Sequence, residues 1–134
     1  MATFKQTQPA KLSAEGIGNV QLLIDGVSNI IVPIDRIVIY DLIIICYNLS
    51  EDTSLLVKQT ITAKNSGGFV TFNIPTSTQV TGNANMISNY TDNSAPSGSN
   101  INIILNTTGL SPSNTIRYSA TMTSKTIVVA DAPV

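Results

Sequence analysis

Apolar and polar residues alternate along most of this chain with a period of two, the spacing that sends successive side chains to opposite faces of a β-strand. Val20, Leu22 and Ile24 share one face. Residues 27–32 return from an Asp25-Gly26 turn, whose glycine permits the positive φ of a tight hairpin, and Pro33 stops them. Residues 36–49 are the most apolar segment, and their β-branched content favours strand over helix. Leu55, Val57 and Ile61 then oppose Lys58, Thr60 and Thr62, and Val70, Phe72 and Ile74 share a face ended by Pro75. Residues 86–90 read as a weak strand, and Ile101, Ile103 and Leu105 resume the alternation. Residues 115–123 place Ile116, Tyr118, Ala120 and Met122 inward, and residues 126–130 form a last strand. Between these lie turn-forming segments, notably the polar loops 76–85 and 91–100.

Eight or nine short strands at these intervals predict an all-β fold, and the short connections make the order antiparallel. The expected architecture is a β-sandwich of jelly-roll or immunoglobulin-like type, occupying residues 19–134 as one domain. Residues 1–18 are polar and irregular, with Pro9 and two glycines, and read as an extended docking arm anchored by Phe4 and Leu12. Such an arm can add a strand to a neighbour's open sheet edge.

Segment 36–49 breaks the rule that a strand with one wet face alternates apolar and polar residues. Ile37, Ile39, Ile43, Ile45, Tyr47 and Leu49 lie on one side of the pleat, and Val38, Tyr40, Leu42, Ile44 and Cys46 on the other. Leaving the second set in water forfeits about 1.5–3 kcal/mol per large side chain. A partner subunit or the arm is therefore expected to cover Val38, Tyr40, Leu42 and Ile44, which with Phe4 and Leu12 make up the expected partner interface.

Composition sharpens this picture. Of the 134 residues, 43% are apolar and only 11% are charged, against roughly 25% in an average domain, so the surface is built from Ser, Thr and Asn. The seven basic residues are scattered along the chain, which argues against nucleic acid and against a polybasic membrane patch. Asp25, Asp35, Arg36 and Asp41 interrupt the most hydrophobic region, so no membrane span is expected, and the first residues contain no apolar signal-peptide core. Cys46, the single cysteine, sits in an apolar run and reads as a small hydrophobe.

Candidate chemistry is sparse. The absence of histidine removes the commonest general base and most zinc sites, and no glycine-rich phosphate loop is present. Asp35 with Asp41, and Glu51 with Asp52, read as structural carboxylates. The inventory points to a protein that is not an enzyme, with no cofactor, no metal and no small-molecule substrate.

The leaderless start, low charge, Ser/Thr/Asn surface, all-β pattern and N-terminal arm together resemble the small accessory proteins of bacteriophage virions: capsid decoration, auxiliary and head-fibre proteins. That resemblance implies synthesis in a host cytoplasm, a final place in the virion, trimers, and binding to other virion proteins. The alternative is an adhesin or carbohydrate-binding module of a phage tail or bacterial surface, with Tyr90 beside loop 91–100 as its ligand-holding residue.

Overall fold

A computed structural model describes residues 4–6, 10–73, 79–107 and 113–128. In chain order these form β1 (Phe4–Gln6), β2 (Ala10–Glu15), β3 (Asn19–Ile24), β4 (Ile30–Ile31), β5 (Arg36–Asn48), β6 (Thr53–Ser66) and β7 (Phe69–Asn73). They continue through β8 (Gln79–Gly82), α1 (Ala84–Ser88), β9 (Thr91–Asp92), β10 (Ala95–Ser97), β11 (Asn100–Asn106) and β12 (Ile116–Val128).

The described strands pair antiparallel throughout and follow one hydrogen-bonded path, β10-β11-β3-β2-β12-β5-β6-β7. Three long strands, β12, β5 and β6, make the centre, with β5 paired along its whole length on both sides. The path curls until its ends meet: the Val70 amide of β7 donates to the Gly98 carbonyl beside β10 at 2.9 Å. The all-β antiparallel expectation holds; a continuous curled sheet stands where two separate sheets were expected.

The concave side of the curl holds the core. Val38, Tyr40, Leu42, Ile44 and Cys46 of β5 meet Leu55, Val57 and Ile61 of β6, Leu22 of β3, Ile103 and Leu105 of β11, and Ile116, Tyr118 and Ala120 of β12. Two buried asparagines close the ends of the β5–β6 pair. Asn48 accepts from the Ser50 and Glu51 amides at 3.0 and 3.3 Å, shaping the turn that follows β5. Asn65 donates to the Val32 carbonyl at 2.7 Å and accepts from the Gly68 amide at 2.9 Å.

Several local expectations change. Residues 10–15 are not an arm: β2 lies between β12 and β3 in the sheet, and Leu12 is buried in the core. The Asp25-Gly26 turn forms, with both residues at positive φ (52° and 74°), but the returning segment touches β3 only through the Ile24–Ser28 bridge, and β4 pairs with β11. Residues 84–88 make one helical turn where a loop ending at 85 and a strand over 86–90 were expected, because the Asn83 side chain caps the amides of Asn85 and Met86 and the turn seals Met86 against the core. The two expected strands 115–123 and 126–130 merge into β12 as far as Val128. β8 falls in the expected loop 76–85, and β9 and β10 in 91–100. Ile74, Pro75, residues 129–130 and the side chains of Phe4 and Phe72 lie outside what is described.

Candidate functional site

The convex side of the β12–β5–β6 sheet carries the feature that needs a functional account. Directly opposed residues in an antiparallel pair project to the same face. On this outer face Ile43 lies between Lys58 of β6 and Thr121 of β12, and Ile45 between Leu56 and Ser119. Tyr47 lies between Ser54 and Arg117, and Ile39 between Thr62 and Lys125. Ile43 and Ile45 are 49% and 48% exposed, and Ile37, Ile39, Tyr47 and Leu56 are half-buried. An aliphatic stripe thus runs down the middle of a sheet face otherwise built of Ser, Thr and Lys.

The same register gathers charge that looks dispersed along the sequence. Lys58 and Lys64 of β6, Arg117 and Lys125 of β12, and Lys11 of β2, which sits opposite Thr121, all project to this side. They are five of the chain's seven basic residues. Among the described strand residues of the β2–β12–β5–β6 face, Asp41 and Glu15 are the acids that oppose them. The Thr60 hydroxyl donates to Asp41 at 2.8 Å, and Arg117 stands 3.6 Å from Glu15 with both side chains largely in water. At one end of the stripe the Tyr47 hydroxyl donates to Asp52, and that carboxylate, by holding the proton, raises the Tyr47 pKa above its ordinary value. The outer face is therefore net positive on a chain whose overall charge is −1.

No family model matches the chain, and no curated protein matches it. Among solved structures, the chain is similar to the tailspike protein of Acinetobacter baumannii phage AM24, with 12% identity and a TM-score of 0.42. That match covers 99% of this chain and 27% of the tailspike, so the chain spans about a quarter of its length.

The residues expected to meet a partner fall elsewhere. Val38, Tyr40, Leu42 and Ile44 face inward and are at most 4% exposed, and Leu12 is 1% exposed, so the chain's own curl covers them. The Phe4 side chain lies outside the described residues; its backbone pairs with Ile127. On the outer face of β5 and β6 the exposed apolar residues are Ile43 and Ile45, with the half-buried Leu56 beside them; Val27, Ile31, Ile34 and Phe69 are exposed elsewhere, in turns and short strands. A signal for this was in the sequence: Asp41 shares the parity of Ile39, Ile43 and Ile45, and a carboxylate marks the face that meets water. Asp41 is indeed exposed.

Other candidates take structural places. Cys46 is buried, and loss of hydration pushes its thiol up to about 11, against a small opposing pull from its hydrogen bond with Tyr118. Tyr118 also shares a 3.1 Å hydrogen bond with Thr107 inside the core. The Tyr90 hydroxyl is sealed from solvent with no partner among the described residues, and burial raises its pKa, so it is not displayed for a sugar. Asp35 occupies a turn at φ 59°, and the neighbouring Arg36 bonds main-chain carbonyls of Ile34 and Asp35. Among the described residues, no three His, Cys, Asp or Glu side chains gather as a metal site would require.

Proposed function

We propose that the protein is a non-enzymatic structural subunit of a bacteriophage virion, present in many copies, that binds other particle subunits through the outer face of β12, β5 and β6. The observation that carries this reading is the exposed Ile43–Ile45 pair at the centre of a Ser/Thr/Lys sheet face. An apolar centre with a polar, charged rim is the anatomy of a protein–protein contact. Polyanions are met by closely spaced cations along a track, whereas here the lysines stand around an aliphatic stripe. The surplus of positive charge favours a partner surface with an acidic rim, since like charges across an interface are costly. The curled sheet, with its β5–β6 side facing its β3–β11 side across one core, serves as a sandwich-like platform that needs no loop to present the contact.

Antiserum against the protein, followed through purification of the parent particle, tests this. The protein should sediment with intact particles at a fixed copy number by quantitative mass spectrometry. Recovery solely in the unassembled fraction would remove the structural reading. Reproducible glycan binding by the isolated protein would replace it with the adhesin reading.

A further inference from the structure

The two ends of the curled sheet differ in character. At one end β5 begins at Arg36, opposite Asn65 of β6 and Val128 of β12; at the other it finishes at Asn48, opposite Thr53 and Ile116. Three turn segments are tied together at the Arg36 end. The Asn65 side chain donates to the Val32 carbonyl and accepts from the Gly68 amide, and the Asp35 amide donates to the Asn65 carbonyl. The Val32 amide donates to the Ser99 carbonyl. This rim displays Ile31, Ile34 and Phe69, which are 64%, 57% and 76% exposed. Large apolar side chains held in water together on a hydrogen-bonded rim mark a contact surface.

Charge separates the two ends. Among the described residues, Arg36, Lys64 and Lys125 stand at the Phe69 end, and the acid of its turns is Asp35. The Arg36 guanidinium stays beside the apolar residues, bonding the carbonyls of Ile34 and Asp35. The far end carries the opposite balance. Glu51 and Asp52 lie exposed in the β5–β6 turn, Asp92 is opposite Leu105 near the end of β11, and Glu15 closes β2 beside Arg117. Residues 108–112, outside what is described, contain no ionisable side chain. The acidic end also offers apolar contact, since Leu49 and Ile87 are exposed there.

We infer that copies of this chain stack head to tail, the Ile34–Phe69 rim of one against the Glu51 end of the next. Complementary charge draws unlike ends together, and like charge keeps two rims or two acidic ends apart. A heterologous contact of this kind leaves one rim and one acidic end free at every step, so it extends into a row or closes into a ring. The contact lies at the ends of the strands and is separate from the outer face of β12, β5 and β6.

Sedimentation velocity of the purified full chain at low ionic strength tests this, with two variants that each disable one end. Phe69→Asp, or the milder Phe69→Ser, removes the anchor of the rim. Leu49→Lys with Glu51→Lys reverses the acidic end. All these positions are exposed, and thermal melts matching the wild type establish that the variants fold. The average mass of the wild type should rise steadily from micromolar to millimolar concentration and fall back in high salt, which screens exposed charges. Each variant alone should associate about tenfold more weakly or less, the effect of losing an anchor at the centre of a contact. An equal mixture of the two variants should form heterodimers and stop there, because one intact rim meets one intact acidic end. A wild type that stays monomeric at millimolar concentration would overturn the proposal. So would a mixture that associates no more than its components, or a Leu49→Lys, Glu51→Lys variant that still dimerises by itself, which would mean that like rims pair.

Discussion

Ile45 of β5 and Leu56 of β6 stand directly opposite each other on the outer face of the sheet, with Ile45 48% exposed. One residue away along the same strand, Ile44 is fully buried. Two isoleucines adjacent in sequence therefore have opposite roles, and truncation separates them. Ile44→Ala should cost about 2–5 kcal/mol of stability through the lost transfer free energy and the cavity left behind. Ile45→Ala should stay within about 0.5–1 kcal/mol. Urea unfolding of both variants checks the pair; equal losses would mean that the face assignment is wrong.

Gln59 tests the interior. Its side chain is 4% exposed in the inward row of β6, and neither amide atom has a hydrogen-bond partner among the described residues. Replacing an unpaired buried amide by an apolar group of similar length removes a desolvation cost, so Gln59→Met should raise the urea midpoint, by the equivalent of about 1 kcal/mol. Asn65 should behave in the opposite way. Asn65→Ala strands the Val32 carbonyl it now satisfies and should cost about 1–3 kcal/mol.

Gly82 ends β8 at φ +138°, and a Cβ there would lie 2.5 Å from the Ser54 carbonyl oxygen and 2.9 Å from the Leu55 Cα. Both neighbours are backbone of β6 and cannot swing aside. Gly82→Ala should destabilise by about 1–3 kcal/mol, read as a fall in melting temperature with the fold retained. Gly67→Ala is the control for space, since a Cβ there meets nothing within 4 Å and only its φ of +63° opposes the change.

The buried acids predict a loss of stability at high pH. Burial raises Cys46 from 9.0 to about 11 and Tyr40 from 10.0 to about 12, and it raises Tyr118 as well. The folded state holds these protons more tightly than the unfolded state does. Their contribution is complete below pH 9 and is lost as the pH climbs from about 9 towards 12. Urea midpoints measured from pH 7 to 11 should be flat at first and then decline. Cys46 should also resist thiol reagents in the native state at pH 8 and react once the chain is unfolded.

Much of the fold was legible because strand periodicity is a local signal. The long segment 36–49 appears as β5, and the inward set Ile116, Tyr118, Ala120 and Met122 is buried as expected. The orientation of β5 was harder to read, since both of its faces are aliphatic and hydrophobicity alone cannot rank them. Asp41, and Lys58 opposite Ile43, hold that information, because a charge costs more to bury than an isoleucine costs to expose. The clustering of five basic residues was hidden for a different reason. They lie on β2, β6 and β12, far apart in sequence, and only the pairing register brings them to one side. The helical turn at 84–88 is too short to show a period, and its one signal is the Asn83 cap.

The outer-face account is tested most directly by incorporation of an Ile43→Asp, Ile45→Asp double variant into the parent particle. Both side chains are already half in water, so the variant should fold with nearly the wild-type melting temperature, while two carboxylates at the centre of a desolvated contact should abolish binding. Competition between labelled variant and wild-type protein during assembly, counted by mass spectrometry of purified particles, gives the answer. Particles containing wild-type protein and almost no variant are the predicted result. Equal incorporation of a folded variant would contradict the outer face as the docking surface.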